Sequence, residues 1–214
     1  MRKLLIVPVF HTGAEMGSVR AFMERASESA FGKAAWEEHK RDLDRFWADL
    51  EASLKRRLEG VDLDRVKLYQ DGQVIDGPLG IKIVEEIAEQ GSKNHQIVLG
   101  LIQRGATLMR TENFELLKEE YKFIKGMATA RSLLKAKMVK DAYRGRRNDL
   151  LKERDLYIAK NIARSLKDGD LGVLFIGATH HVKENLPKDI EVEYPEGIMD
   201  TASRIVQRLE RITQ

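Results

Sequence analysis

Two hydrophobic periods alternate along this chain. Residues 4–10 form an uninterrupted apolar, partly β-branched run, the pattern of a strand covered on both faces in a parallel sheet. The run ends at His11-Thr12-Gly13, after which Val19, Phe22, Met23 and Ala26 recur at helical spacing. Farther on, Trp36, Leu43, Trp47, Leu50, Leu54 and Leu58 make a single helical stripe with charged residues on the other faces, and Gly60 stops it. The stripe reads as packing surface, or as a homodimer face if the helix projects. Residues 66–69 predict a short strand running into the turn Gln70-Asp71-Gly72, and residues 81–90 a short helix. Residues 94–103 fit either a strand or a helix, residues 106–110 a short strand, and residues 114–124 a helix. A helical pattern from 127 to 167 carries an expected break at Tyr143-Arg144-Gly145. Residues 171–176 are the second clear buried strand, leaving through Gly177-Ala178-Thr179-His180-His181. Residues 190–194 alternate apolar and acidic, as an edge strand does, and residues 201–212 predict a last helix.

Short strands alternating with helices predict an α/β fold with a mostly parallel central sheet. The expected organisation is one domain over 1–214, with long helical segments at 33–60 and 126–167 as insertion or dimer surface. Composition adds exclusions. There is no cysteine, so His, Asp and Glu are the available metal ligands. The chain has 37 basic and 34 acidic residues, a net charge of +3. Along the sequence the two signs are interspersed, which predicts no nucleic-acid surface. No apolar stretch reaches the ~18 residues needed to cross a bilayer, and the apolar start is interrupted too early for a signal segment. The expectation is a cytoplasmic protein with no membrane partner.

Candidate chemistry lies at strand ends, because parallel sheets bind ligands beyond their carboxyl edges. Two of the best strands end in a histidine, His11 and His180. Converging, the two imidazoles would hold a divalent metal such as Mn, Zn or Co, with a carboxylate completing the site. Glu15, four residues past His11, and Glu112, at the end of a short strand, are the carboxylate candidates. Asp155 occupies a step of the stripe Leu151, Ile158, Ile162, Leu166, where a carboxylate is costly unless paired. Arg154 adjoins it. Neighbours at a strand end point opposite ways, so one of His180 and His181 faces the cleft. His39 and His95 sit in polar, helix-like surroundings and read as surface residues. Tyr69 and Asp71 are weaker candidates, since turn chemistry accounts for Gln-Asp-Gly. The cluster Arg144-Gly145-Arg146-Arg147 reads as a solvated helix junction.

The stretch Leu151-Lys152-Glu153-Arg154-Asp155, then Ile158, Ile162, Leu166 and Gly169, then Val173-Leu174-Phe175-Ile176-Gly177-Ala178-Thr179-His180, resembles the C-terminal signature of the TraB/GumN/Tiki group. That group belongs to a wider set with erythromycin esterase-like (EreA) and ChaN-like proteins. The strand ending at His11 resembles the other half of the pattern. Pro8 stands where a first glycine would be, and Gln70 and Asp71 stand where a glutamate is typical. The resemblance implies that His11, His180, Arg154 and Asp155 share one cleft. The expected function is metal-dependent hydrolysis of a small-molecule or peptide substrate. His11, His180 and Glu112 would be the metal ligands, Glu15 or Asp155 the base, and Arg154 the stabiliser of developing negative charge. A non-catalytic ligand- or haem-binding protein is the alternative.

Overall fold

The computed structural model describes residues 1–10, 25, 28, 29 and 31–213, with side chains to residue 208. Its centre is a five-stranded, all-parallel sheet in the order β3-β2-β4-β1-β5. The strands are β1 (Arg2–Val9), β2 (Val66–Gln70), β3 (Thr107–Leu108), β4 (Leu171–Gly177) and β5 (Ile190–Glu193). Six helices accompany them among the described residues: α1 (Lys33–Arg57), α2 (Gly77–Glu89), α3 (Lys93–Gln103), α4 (Phe114–Ala128), α5 (Leu133–Ser165) and α6 (Ile198–Thr213). None of these helices is long and apolar enough to cross a membrane. The α/β expectation holds, including the edge position of β5.

The period-two alternation inside β1 sorts its side chains onto two cores. Leu5, Val7 and Val9 join Val173 and Phe175 of β4 under α1, α2, α3 and α6, where Phe46, Trp47, Leu50, Val84, Val98 and Ile205 meet them. Leu4 and Ile6 join Tyr69 and Leu174 on the opposite face, packed against Ile158, Ala159 and Ile162 of α5. Burial on both faces explains why β1 and β4 read as continuous apolar runs. The stripe of α1 is therefore core: Phe46, Trp47, Leu50, Leu54 and Leu58 are buried, and Trp36 and Leu43 partly so.

The sequence 94–103 resolves as helix. Ser92 caps it by accepting the His95 N–H, and Asn94, Val98 and Leu101 turn inward at helical spacing. Two expectations are corrected. There is no break at Tyr143-Arg144-Gly145, because α5 runs through it unbroken. The Tyr143 ring lies 5.4 Å from that of Phe123, and Arg146 pairs with Glu119 at 2.8 Å, both across to α4. These contacts offset the roughly 1 kcal/mol that a helical glycine costs. The true interruption falls just before Ser132, whose side chain caps α5. His39 and His95 are buried, not superficial. The His39 ring stacks 5.5 Å from Trp36, and His95 bonds Gln70 and Ser92 through its two ring nitrogens.

Because the sheet is parallel and α5 leads back into β4, α5 runs against the strand direction. Its second half covers the sheet. Its first half passes the carboxyl edge and pairs with α4 as a helical hairpin, in which no residue of α4 and none of α5 before Leu150 is buried. The approach between the two helices is close, since a Cβ on Gly126 would meet Val139 at 3.3 Å.

Candidate functional site: a buried charge cluster at the carboxyl edge

Three neighbouring strands end in the residues that build the site. Asp71 follows β2, Glu112 follows β3 and His180 follows β4. The face of α5 toward the sheet supplies Arg154 and Asp155. Asp71 ties two strand ends together. Its N–H donates to the Phe175 carbonyl at 2.8 Å, and its Oδ2 accepts from the Gly177 N–H at 3.1 Å. Gly72, at φ +80°, then turns the chain away through backbone that a side chain would disfavour. Glu112 is held by its own N–H donating to the Gln73 carbonyl at 2.9 Å.

Arg154 is the hub. Its Nη2 donates to Asp71 Oδ1 at 2.6 Å and to Glu112 Oε1, its Nε to Glu112 Oε1 at 3.2 Å, and its Nη1 to Glu120 Oε2 at 2.5 Å. The planar fork matches several carboxylates at once, which a lysine could not do. Burial alone would lower the Arg154 pKa, but Asp71, Glu112 and Glu120 raise it and keep the guanidinium charged. Glu112 is wholly buried, and burial raises its pKa against the pull of Arg154.

His180 and Asp155 form the second unit. His180 Nδ1 lies 2.5 Å from Asp155 Oδ1, and both side chains are 4% exposed. A carboxylate only accepts, so Nδ1 is the donor in this contact, and the neutral tautomer that fits it has its lone pair on Nε2. Nε2 lies 3.6 Å from Asp71 Oδ2. The other Asp155 oxygen accepts the His181 N–H at 2.9 Å, while the His181 side chain is 70% exposed. His180 is thus the inward member of the pair. The dyad and the Arg154 cluster meet through Asp71.

His180, Arg154, Asp155 and Glu112 come together as one constellation. His11 and Glu15 lie outside the described residues. The end of β1 is level with that of β4, Val9 pairing with Gly177. Asp71, read from the sequence as a turn residue, is central. Glu120 joins them and carries the same sequence signal as Asp155, a carboxylate on the helical stripe Leu116, Leu117, Phe123, Ile124. Among the described residues no three His, Asp or Glu side chains are grouped as metal ligands would be, and the Glu112 carboxylate is taken up by Arg154. A cavity of about 580 Å³ between α1 and α3 lies elsewhere, lined by residues such as Leu54, Arg56, Ile97 and Arg104 and by no histidine.

Fold and site together define a parallel α/β protein with a His–Asp dyad braced by an arginine–carboxylate cluster. Comparison with protein-family models, curated proteins and solved structures finds no match for the chain.

Proposed function

We propose that this protein is a hydrolase in which His180, oriented by Asp155, is the general base. The observation that carries this reading is the 2.5 Å contact between His180 Nδ1 and Asp155 at the carboxyl edge of the sheet. It fixes the tautomer that leaves Nε2 basic, and the Asp155 carboxylate stabilises the imidazolium that forms on proton uptake. No cysteine is present, and water is the nucleophile in this scheme. It gives a proton to His180 Nε2 as its oxygen bonds the electrophilic carbon or phosphorus, and the imidazolium returns the proton to the leaving group as the bond from that atom to the leaving group breaks. Asp71 and Arg154 act as positioning residues, since the Arg154 guanidinium is already committed to three carboxylates.

The test is turnover of ester, amide and phosphoester substrates by wild type, His180→Ala and Asp155→Asn. Each protein is assayed after chelation and again after loading with Mn, Zn or Co. Each substitution is expected to lower kcat by about 10²–10⁴-fold while the melting transition stays cooperative. Turnover in His180→Ala equal to wild type would remove His180 as base. Activity that needs a metal and survives Asp155→Asn would replace the dyad mechanism with metal-bound water.

A further inference from the structure

The hairpin of α4 and α5 concentrates charge that the whole-chain balance conceals. Between Lys122 and Arg144 seven side chains are basic and only Asp141 is acidic, in a protein of net charge +3. Among the described residues none of the seven forms an ion pair. The same tip exposes three large aliphatic side chains. Leu133 is 91%, Leu134 71% and Met138 64% exposed. The 17 residues of α5 before Leu150 extend roughly 25 Å at about 1.5 Å per residue. The tip therefore stands well clear of both cores.

We propose that this tip docks on the surface of an anionic phospholipid bilayer, with Leu133, Leu134 and Met138 entering the acyl boundary and the surrounding lysines meeting lipid phosphates. Three observations favour lipid over other partners. The exposed apolar groups are flexible aliphatic chains flanked on the helix by Lys135 and Lys140, with Lys137 on the same face, and the long stems let a helix lying in a membrane interface keep its ammonium groups at the headgroups. Nucleic acids are bound by stacking aromatics and forked arginines. Here lysines outnumber arginines five to two, and the rings of Phe123 and Tyr143 face each other 5.4 Å apart within the hairpin. A second copy would bring two like-charged tips together, which costs affinity.

The test is co-sedimentation of the full chain with vesicles of pure phosphatidylcholine or of phosphatidylcholine containing phosphatidylglycerol. Expected is binding only to the anionic vesicles, weakened by salt. Leu133→Ser/Leu134→Ser and Lys135→Glu/Lys137→Glu/Lys140→Glu should each weaken it roughly tenfold or more. All these residues are exposed, so the melting temperature of both variants should match wild type and separate lost docking from lost folding. Three results overturn the proposal: no binding to anionic vesicles; competition by duplex DNA or RNA with no effect of Leu133→Ser/Leu134→Ser; or a Leu133- and Leu134-dependent dimer in sedimentation velocity without vesicles. The readout is independent of turnover, so it stands or falls apart from the proposed hydrolysis.

Discussion

Replacing Arg154 with methionine tests whether the site is built as described. The change keeps much of the side-chain stem and removes the fork that serves Asp71, Glu112 and Glu120. Asp71 and Glu112 are 5% and 0% exposed at the side chain, so water cannot readily take over. Removing one partner of a buried pair costs about 3–5 kcal/mol, against roughly 0–1 kcal/mol for an exposed pair. At roughly 2–4 °C per kcal/mol for a chain of this size, melting should fall by about 6–20 °C.

The sign of the pH dependence follows from the carboxylates. Without the guanidinium their folded pKa values rise, and Glu112 is already raised by burial. A group with a raised folded pKa contributes stability below its unfolded pKa and loses it as pH rises through the folded one. The defect should therefore be largest at neutral pH and shrink toward about pH 5. Adding Glu112→Gln to the Arg154→Met protein should recover about 1–3 kcal/mol, because one of the stranded charges is gone. Urea titrations of wild type, the two single variants Arg154→Met and Glu112→Gln, and the double variant at two pH values measure all of this. A loss below about 1 kcal/mol, or one equal at both pH values, would refute the buried cluster.

Two further substitutions probe the frame around the site. Burial pushes the Tyr69 hydroxyl up to about 12 against the opposing bond to Ser165, so its stabilisation is intact below pH ~10 and lost as pH rises through ~12, close to 3 kcal/mol for two pH units. Tyr69→Phe should flatten that part of an alkaline stability curve; an unchanged curve would mean the hydroxyl is not buried. Helical glycines should split in sign. A Cβ on Gly80 would meet the Ile75 carbonyl oxygen at 2.5 Å, whereas one on Gly100 meets nothing within 4 Å. Gly80→Ala is expected to destabilise by about 1–3 kcal/mol and Gly100→Ala to stabilise by about 0.5–1 kcal/mol, both read from denaturant midpoints.

Elements whose periodicity is set by burial were legible along the chain. The continuous runs of β1 and β4 need no context to be read as strands covered on two faces, and the Asp155 anomaly follows from helical spacing alone. What was not legible depends on partners distant in sequence. Ser92-Lys93-Asn94-His95 is polar throughout, yet Ser92, Asn94 and His95 are buried because His95 meets Gln70 from β2. His39 is the exception, since the rings it meets are close in sequence, Trp36 at 5.5 Å and Phe31 at 5.0 Å. Tyr143-Arg144-Gly145 looks like a helix end because the contacts that keep it helical, Phe123 and Glu119, belong to α4. The charge of the hairpin escaped for the same reason. Interspersion along a sequence says nothing of which residues a hairpin sets apart from the rest of the fold.

The buried cluster is a poor way to gain stability. Desolvating an arginine and its carboxylates consumes most of what their attraction returns, and well-packed apolar groups of equal volume commonly do better. Its placement makes sense of that expense. Arg154 and Asp155 are adjacent on α5, so the bonds that fix Arg154 to the ends of β2 and β3 also fix the backbone that presents Asp155 to His180. Asp71 completes the brace, one oxygen on Arg154 and the other on the Gly177 N–H at the start of the turn that carries His180. Glu120 extends the brace outward, accepting from Arg154 with one oxygen and from the Tyr143 hydroxyl, at 2.7 Å, with the other. The hairpin and the dyad are thereby joined through three side chains and one continuous helix. A rigid imidazole at the sheet's carboxyl edge is what such a brace yields, and orientation of the dyad accounts for it better than stability does.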